Sequence, residues 1–221
     1  MEKNDFIRFL IARGALKFGD FTTKSGRQSP YFINMGEFGT GEAIDRLGFY
    51  YASHIVSLMR AGDIPQEIDT LFGPAYKGIP LCVAAAASLS RGFELDIGWT
   101  FNRKEAKDHG EGGNFVGTKL RDGDKVLILD DVITAGTAVR ETLPLLKSAA
   151  DVEIAGMVIA VDRMERGQGE LSAVAEVRRD FGIPVFPLIT VRDIIGYLNA
   201  AGGAEAGFAP RMEAYLAEYG A

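Results

Sequence analysis

Hydrophobic positions along the chain follow two alternating periods. Over residues 41–60, Ile44, Leu47, Tyr51, Ile55 and Leu58 recur at helical spacing, with His54 close to that stripe, which predicts an amphipathic helix. Phe6, Ile7, Leu10 and Ile11 set the same period over residues 3–16. Between such stretches stand short apolar runs: Thr70-Leu71-Phe72 and residues 95–101, 126–129, 154–161 and 185–189. Runs of that length bounded by turn residues suit strands buried on both faces of a parallel sheet. Helices are expected between them. One covers residues 79–89 and, being apolar nearly all round, should be buried. A second carries Val139, Leu143 and Leu146 with Pro144 inside it. An interior proline removes a hydrogen bond at a cost of ~3 kcal/mol, so a kink or a short first turn is expected there. A third covers residues 171–179, and Thr190 begins a fourth with Asp193 in the reciprocal capping position. Residues 202–209 read as a glycine- and alanine-rich link to a last helix over 211–219. The alternation fits right-handed crossovers, hence an α/β fold with a parallel central sheet flanked by helices. The whole chain, 1–221, is expected to form a single domain.

Polar chemistry collects where the strands should end, near residues 73, 130 and 162. Ligands bind beyond the carboxyl ends of strands in open α/β sheets, so a composite site is expected there. Asp130 and Asp131 close the strand at 126–129, and Thr134, Ala135, Gly136 and Thr137 lead into a helix. Amides opening into a helix make an anion cradle, while the carboxylates can accept from sugar hydroxyls. A magnesium ion, which favours carboxylate and phosphate oxygens, suits the same place. The loop Gly73-Pro74-Ala75-Tyr76-Lys77-Gly78 brackets a lysine with glycines, as phosphate contact requires. The bland alternatives are an acidic strand end with an ordinary cap, and a surface turn with a chance lysine.

Residues 102–114 break the pattern. Six of the nine residues 103–111 are charged, and Gly110, Gly112 and Gly113 loosen the backbone. Nothing apolar larger than alanine lies between Phe101 and Phe115. Such a segment cannot anchor itself by burial, so it should be mobile when the site is empty. It reads either as a lid or as a solvated connector.

With 24 basic and 30 acidic residues the net charge is −6, which argues against broad nucleic-acid binding. The single cysteine, Cys82, cannot form an internal disulfide, which suits a reducing compartment. Met1-Glu2-Lys3-Asn4-Asp5 does not resemble a secretory signal, and no apolar run approaches ~18 residues. A cytoplasmic address without membrane association is expected.

Leu129-Asp130-Asp131-Val132-Ile133-Thr134-Ala135-Gly136-Thr137 resembles the phosphoribosyl-diphosphate (PRPP) motif of type I phosphoribosyltransferases. Phe21-Thr22-Thr23-Lys24-Ser25-Gly26-Arg27, the 73–78 loop and the stretch from Arg103 to Gly113 narrow the likeness to the family's orotate branch. The resemblance runs from about residue 16 to 198 and implies a small N-terminal hood, about residues 1–40, beside a mobile charged loop. It implies PRPP contacts from Lys24, Tyr76, Lys77, Arg103, Lys104, Lys107, His109, Asp130 and Asp131, and from the Val132, Ile133, Thr134, Ala135, Gly136, Thr137 and Ala138 loop. Orotate would meet Phe32, Ile33, Thr134 and Arg163; at 33 many relatives carry an aromatic, so stacking would fall to Phe32. Lys104, Lys107 and Asp131 would be catalytic. Mg2+ would be carried mainly by PRPP, near Asp130 and Asp131. A homodimer is implied, in which the 103–113 loop reaches the partner's site.

Other classes stay open at this point. A receiver domain also has paired aspartates at a strand end, but near the start of a ~120-residue domain rather than after residue 125. A regulatory nucleotide sensor on the same fold would not need a charged lid, and a transferase for another base would share the donor chemistry. A Walker-type ATPase is poorly supported, because no Gly-x-x-x-x-Gly-Lys-Ser/Thr occurs. If the loop is a lid, Lys107→Ala should lower turnover far more than it weakens nucleotide binding, measured by single-turnover rates beside equilibrium titration; equal losses count against closure.

Overall fold

A computed structural model describes residues 2–23, 26–104, 114–133, 137–167 and 169–221, without the side chains of Thr137 and Ala138. The six-stranded sheet is built from β3 (Thr70–Phe72), β4 (Gly98–Asn102), β5 (Phe115–Gly117), β6 (Lys125–Asp130), β7 (Glu153–Asp162) and β8 (Val185–Thr190). Their order is β5-β4-β3-β6-β7-β8, parallel throughout except for the antiparallel β4–β5 pair. The α/β architecture read from the sequence is therefore the one observed. The antiparallel edge strand β5 was not foreseen. Its three residues are too few to show a period, and such a short edge strand offers little for another chain to pair with.

Alternate residues of the central strands feed two cores. Leu127 and Leu129 of β6 join Leu71, Val158 and Ala160 in the larger one. It also receives side chains of α1 (Lys3–Ala12), α2 (Gly41–Ala61), α3 (Gly78–Phe93), α6 (Val191–Ala201) and α7 (Phe208–Tyr219). Val126 and Ile128 face the other way, toward Val139, Leu143 and Leu146 of α4 (Thr137–Ala149) and Ala173 and Val177 of α5 (Ala173–Phe181). The period of two sends successive side chains to opposite faces, so a continuous apolar run is what a doubly covered strand requires.

Two helices differ from expectation. α3 is not buried all round: Pro80, Val83 and Ala87 are exposed, since α2 and the sheet cover only its other faces. Pro144 lies inside α4, which runs on from Thr137 to Ala149 without interruption. The link at 202–209 is partly ordered as a 3-10 helix, Ala204–Gly207, and α7 begins at Phe208. Thr190 and Asp193 form the reciprocal cap of α6, in both directions. Outside the main sheet, β1 (Leu16–Thr22) and β2 (Gln28–Ile33) pair as an antiparallel hairpin, the hood, against which α7 packs. Among the described residues no helix is long and apolar enough to cross a membrane.

α2 and α3 cross at Gly48, where a Cβ would stand 2.6 Å from the carbonyl carbon of Ala84. Alanine would gain about 1 kcal/mol of helix propensity, but overpacking against main chain costs typically 1–3 kcal/mol. The clash should win: Gly48→Ala is expected to lower Tm by several degrees in calorimetry, and a raised Tm would show that the crossing can relax.

Candidate active site

β3, β6 and β7 are neighbours and parallel, so their carboxyl ends open on one edge of the sheet. The loop after β3 is closed by its glycines. A Cβ on Gly78 would stand 2.7 Å from the Gly73 carbonyl carbon, so the two ends of the loop touch only because neither has a side chain. Gly73 N–H donates to Thr100 O at 3.0 Å, and Ala75 N–H donates to Asn102 Oδ1 at 2.9 Å, which ties the loop to β4. The Ala75–Tyr76 peptide is cis. Tyr76 is left 70% exposed, with Lys104 Nζ over its ring at 5.6 Å. Cys82 lies buried beneath, its thiol pushed up to about 12 by burial, which leaves it an inert packing group.

Lys77 reaches from this loop to the end of β6, where its Nζ lies 2.9 Å from Asp131 Oδ2. The acidic pair is bonded internally as well. Asp131 N–H donates to Asp130 Oδ1 at 2.9 Å, and Val132 N–H donates to Asp131 Oδ1 at 2.7 Å. Below, the buried Tyr51 hydroxyl of α2 donates to Asp130 O at 2.8 Å, while Ala160 N–H of β7 donates to Asp131 O at 2.9 Å. Val132 then packs on the larger core and Ile133 is buried in the smaller one. Burial, and secondarily the Asp131 charge, push the Asp130 carboxyl up to about 7.

At the end of β7, Arg163 Nε donates to Glu165 Oε1 at 2.8 Å, and the Tyr31 hydroxyl of the hood donates to the same oxygen at 3.0 Å. Arg163 is thereby brought under the hairpin that carries Phe32. Phe32 is 43% exposed and stacked on Phe21 with centroids 5.4 Å apart, whereas Ile33 turns inward against the larger core. Arg103 lies at the foot of the charged loop, where its N–H donates to Asn114 O at 2.6 Å. Lys24, Lys107, His109, Thr134, Ala135 and Gly136 lie outside the described residues, as do the side chains of Thr137 and Ala138. His54 is half-buried on α2, and its imidazole is lowered to about 4 by burial, which holds it neutral.

The structure thus joins Lys77 to Asp131 directly and sets Tyr76 beside Lys104. Sequence reasoning missed Tyr51, Asn102, Tyr31 and Glu165. For Tyr51 a signal existed: a tyrosine on a buried stripe must find a partner for its hydroxyl. Asn102 and Glu165 carry none, because their partners lie 27 residues away and on the hood.

The phosphoribosyl transferase domain family matches residues 45–185. The orotate phosphoribosyltransferase of Pseudomonas putida (strain W619) is 54% identical over 218 residues, which cover 99% of this chain and 98% of that protein. The orotate phosphoribosyltransferase of Bifidobacterium adolescentis is 51% identical over 223 residues, 98% of this chain and 96% of that one. The crystal structure of orotate phosphoribosyltransferase from Francisella tularensis matches with a TM-score of 0.83 at 39% identity, covering 98% of this chain and all of that one.

Asp130 has a testable linkage to pH. Its folded-state value is raised from 3.8 to about 7, so the stability it contributes is complete below pH 4 and lost as pH rises through 7. Asp130→Asn should therefore flatten the fall in Tm of the ligand-free protein between pH 4 and 8, relative to the unchanged chain. An undiminished slope in a series of thermal melts would contradict the assignment.

Proposed function

The chain belongs to the orotate phosphoribosyltransferases of the phosphoribosyltransferase family, and from that premise we propose that it transfers the ribose 5-phosphate of PRPP to N1 of orotate. The products are orotidine 5'-monophosphate and diphosphate, a step of pyrimidine nucleotide synthesis. One observation supports this most directly: a lysine from the loop after β3 and a carboxylate from the end of β6 meet at 2.9 Å. A sugar bearing phosphates on both sides of its ring needs that neighbourhood of acid and base.

Breaking the bond at the anomeric carbon builds positive charge on the ribose and negative charge on the departing diphosphate. Groups that meet those charges stabilise the transition state more than the ground state. Lys77 serves the diphosphate in this scheme. It is 61% exposed, so its pair with Asp131 is worth at most about 1 kcal/mol and is readily exchanged for an incoming diphosphate. Tyr76, Arg103, Lys104, Lys107 and His109 complete the diphosphate side, and Lys24 adds a further PRPP contact. Asp130 and Asp131 accept from the ribose hydroxyls, and Asp131 also faces the cationic sugar. The amides and hydroxyls from Thr134 to Ala138 hold the 5-phosphate at the start of α4. Orotate lies against Phe32 of the hood, Thr134 and Arg163, whereas Ile33, expected beside it, packs inward on the larger core. Orotate is already an anion, so no strong general base is required, and most of the rate comes from positioning and exclusion of water.

Magnesium belongs to the same proposal. Among the described residues no third carboxylate, imidazole or thiolate joins Asp130 and Asp131, and Asp131 is already bonded to Lys77 and to Val132 N–H. Two adjacent carboxylates fit an ion held mainly by PRPP oxygens, near Asp130 and Asp131, rather than a protein cage. Once bound, it neutralises charge on the leaving diphosphate. A homodimer, with the 103–113 loop completing the partner's site, rests on the family resemblance, and a cytoplasmic address, which suits the single cysteine, completes the proposal.

Protein mixed with magnesium, PRPP and orotate should deplete orotate absorbance and yield orotidine monophosphate. Parallel mixtures with uracil, adenine and hypoxanthine should show turnover at least a hundredfold slower. Comparable turnover of another base overturns the assignment of orotate, and loss of activity with chelator would confirm the metal.

A further inference from the structure

Arg163 is placed by a carboxylate two residues along the chain. Glu165, 15% exposed, draws together three donors, one from the end of β7 and two from the hood hairpin. Its Oε1 accepts from Arg163 Nε at 2.8 Å and from the Tyr31 hydroxyl at 3.0 Å, while Oε2 faces Arg27 Nη1 at 3.5 Å. Each guanidinium is backed by an aromatic ring: Arg163 lies 5.0 Å from the centroid of Tyr31, and Arg27 lies 5.1 Å from that of Tyr219. Arg163 Nη2 is also 2.7 Å from Glu165 Oε1 but not aligned for a hydrogen bond, and among the described residues it is a buried donor without an acceptor.

The main chain around Glu165 is held with equal care. Met164 adopts φ +54°, a left-handed conformation unusual for a residue with a side chain. Its N–H donates to Asp162 Oδ1 at 2.8 Å, and its carbonyl accepts from Ala221 N–H at 3.1 Å. Arg166 N–H donates to Tyr219 O at 2.9 Å, and Glu165 forms an antiparallel bridge with Gly220. Residues 219–221 therefore lie antiparallel beside 164–166, joined by a single bridge.

We propose that Glu165, held by the pairing of residues 164–166 with 219–221, is a positioning residue for base recognition: it orients the Arg163 and Arg27 guanidiniums that meet an anionic pyrimidine. The inference rests on the proposed placement of the base at Arg163. Two guanidiniums and one carboxylate leave one positive charge in surplus, which matches the single negative charge of orotate. Glu165→Gln would raise that surplus to two. A role limited to charge would then lower the orotate KM, whereas a positioning role raises it.

The test is a steady-state split of the two KM values. Glu165→Gln should raise the KM for orotate tenfold or more while changing that for PRPP by less than twofold. Glu165→Asp, which keeps the charge but shortens the reach, should fall between. Should Glu165→Gln fail to fold, Tyr219→Leu removes the ring behind Arg27 without touching a charge, and should raise the orotate KM about threefold with that for PRPP unchanged. An orotate KM that stays constant or falls, or a parallel rise in both constants, overturns the proposal. If the unaltered protein turns over a base other than orotate, the assignment of orotate fails by itself. The same split, measured with the base that is used, then decides the role of Glu165.

Discussion

Two adjacent carboxylates are buried at the end of β6, and the rest of the site depends on making that tolerable. Asp130 and Asp131 are 8% and 6% exposed, in a place where unpaired charge is costly. The chain lowers the cost by bonding the main chain around them, although burial still pushes the Asp130 carboxyl up to about 7. Tyr51 donates to one carbonyl and Ala160 to the other, and the following amides turn back onto the carboxylates themselves. Of these partners Lys77 alone carries a positive charge, and it is the one most easily replaced. The acidic pair is consequently rigid while its counter-ion is exchangeable. That is the arrangement a site needs if it is to admit a polyanion without first unfolding.

The same division recurs in the flanking loops. After β3, Gly73 and Gly78 are packed so closely that neither tolerates a Cβ, and Asn102 pins Ala75 from the next strand. Tyr76 and Lys77 project from this fixed base with 70% and 61% exposure. After β7, the Glu165 carboxylate ties Arg163 to the hairpin, and the main chain of 219–221 pairs with the segment that carries it. Rigid backbone with exposed or exchangeable side chains is how a catalyst that works mainly by positioning can hold its substrates and still release its products.

Much of this was legible before any coordinates. Continuous apolar runs at 126–129 and 154–161 specify strands covered on both faces, because any alternation would have left one face to solvent. The stripe from Ile44 to Leu58 specifies α2, and Thr190 with Asp193 specifies the start of α6, since both signals are local and periodic. The three polar strand ends and the charged stretch after β4 were likewise evident from residue types alone. Where local signals were thin the outcome differed. Phe115, Val116 and Gly117 form an edge strand too short to announce itself, and α3 keeps an exposed stripe that no other described element covers.

What the sequence alone determined is whatever depends on neighbours within a few residues: the strand and helix periods, the caps, and which chemistry stands at each strand end. Tertiary structure alone decided which of those ends share a site and what holds them. The contact of Lys77 with Asp131 spans 54 residues, that of Tyr51 with Asp130 spans 79, and that of Tyr31 with Glu165 spans 134. A hydrogen bond acts over about 3 Å, and its partners are chosen by the order in which strands pair rather than by any spacing along the chain. Periodicity records burial, which every residue of an element shares; pairing between elements belongs to the sheet as a whole.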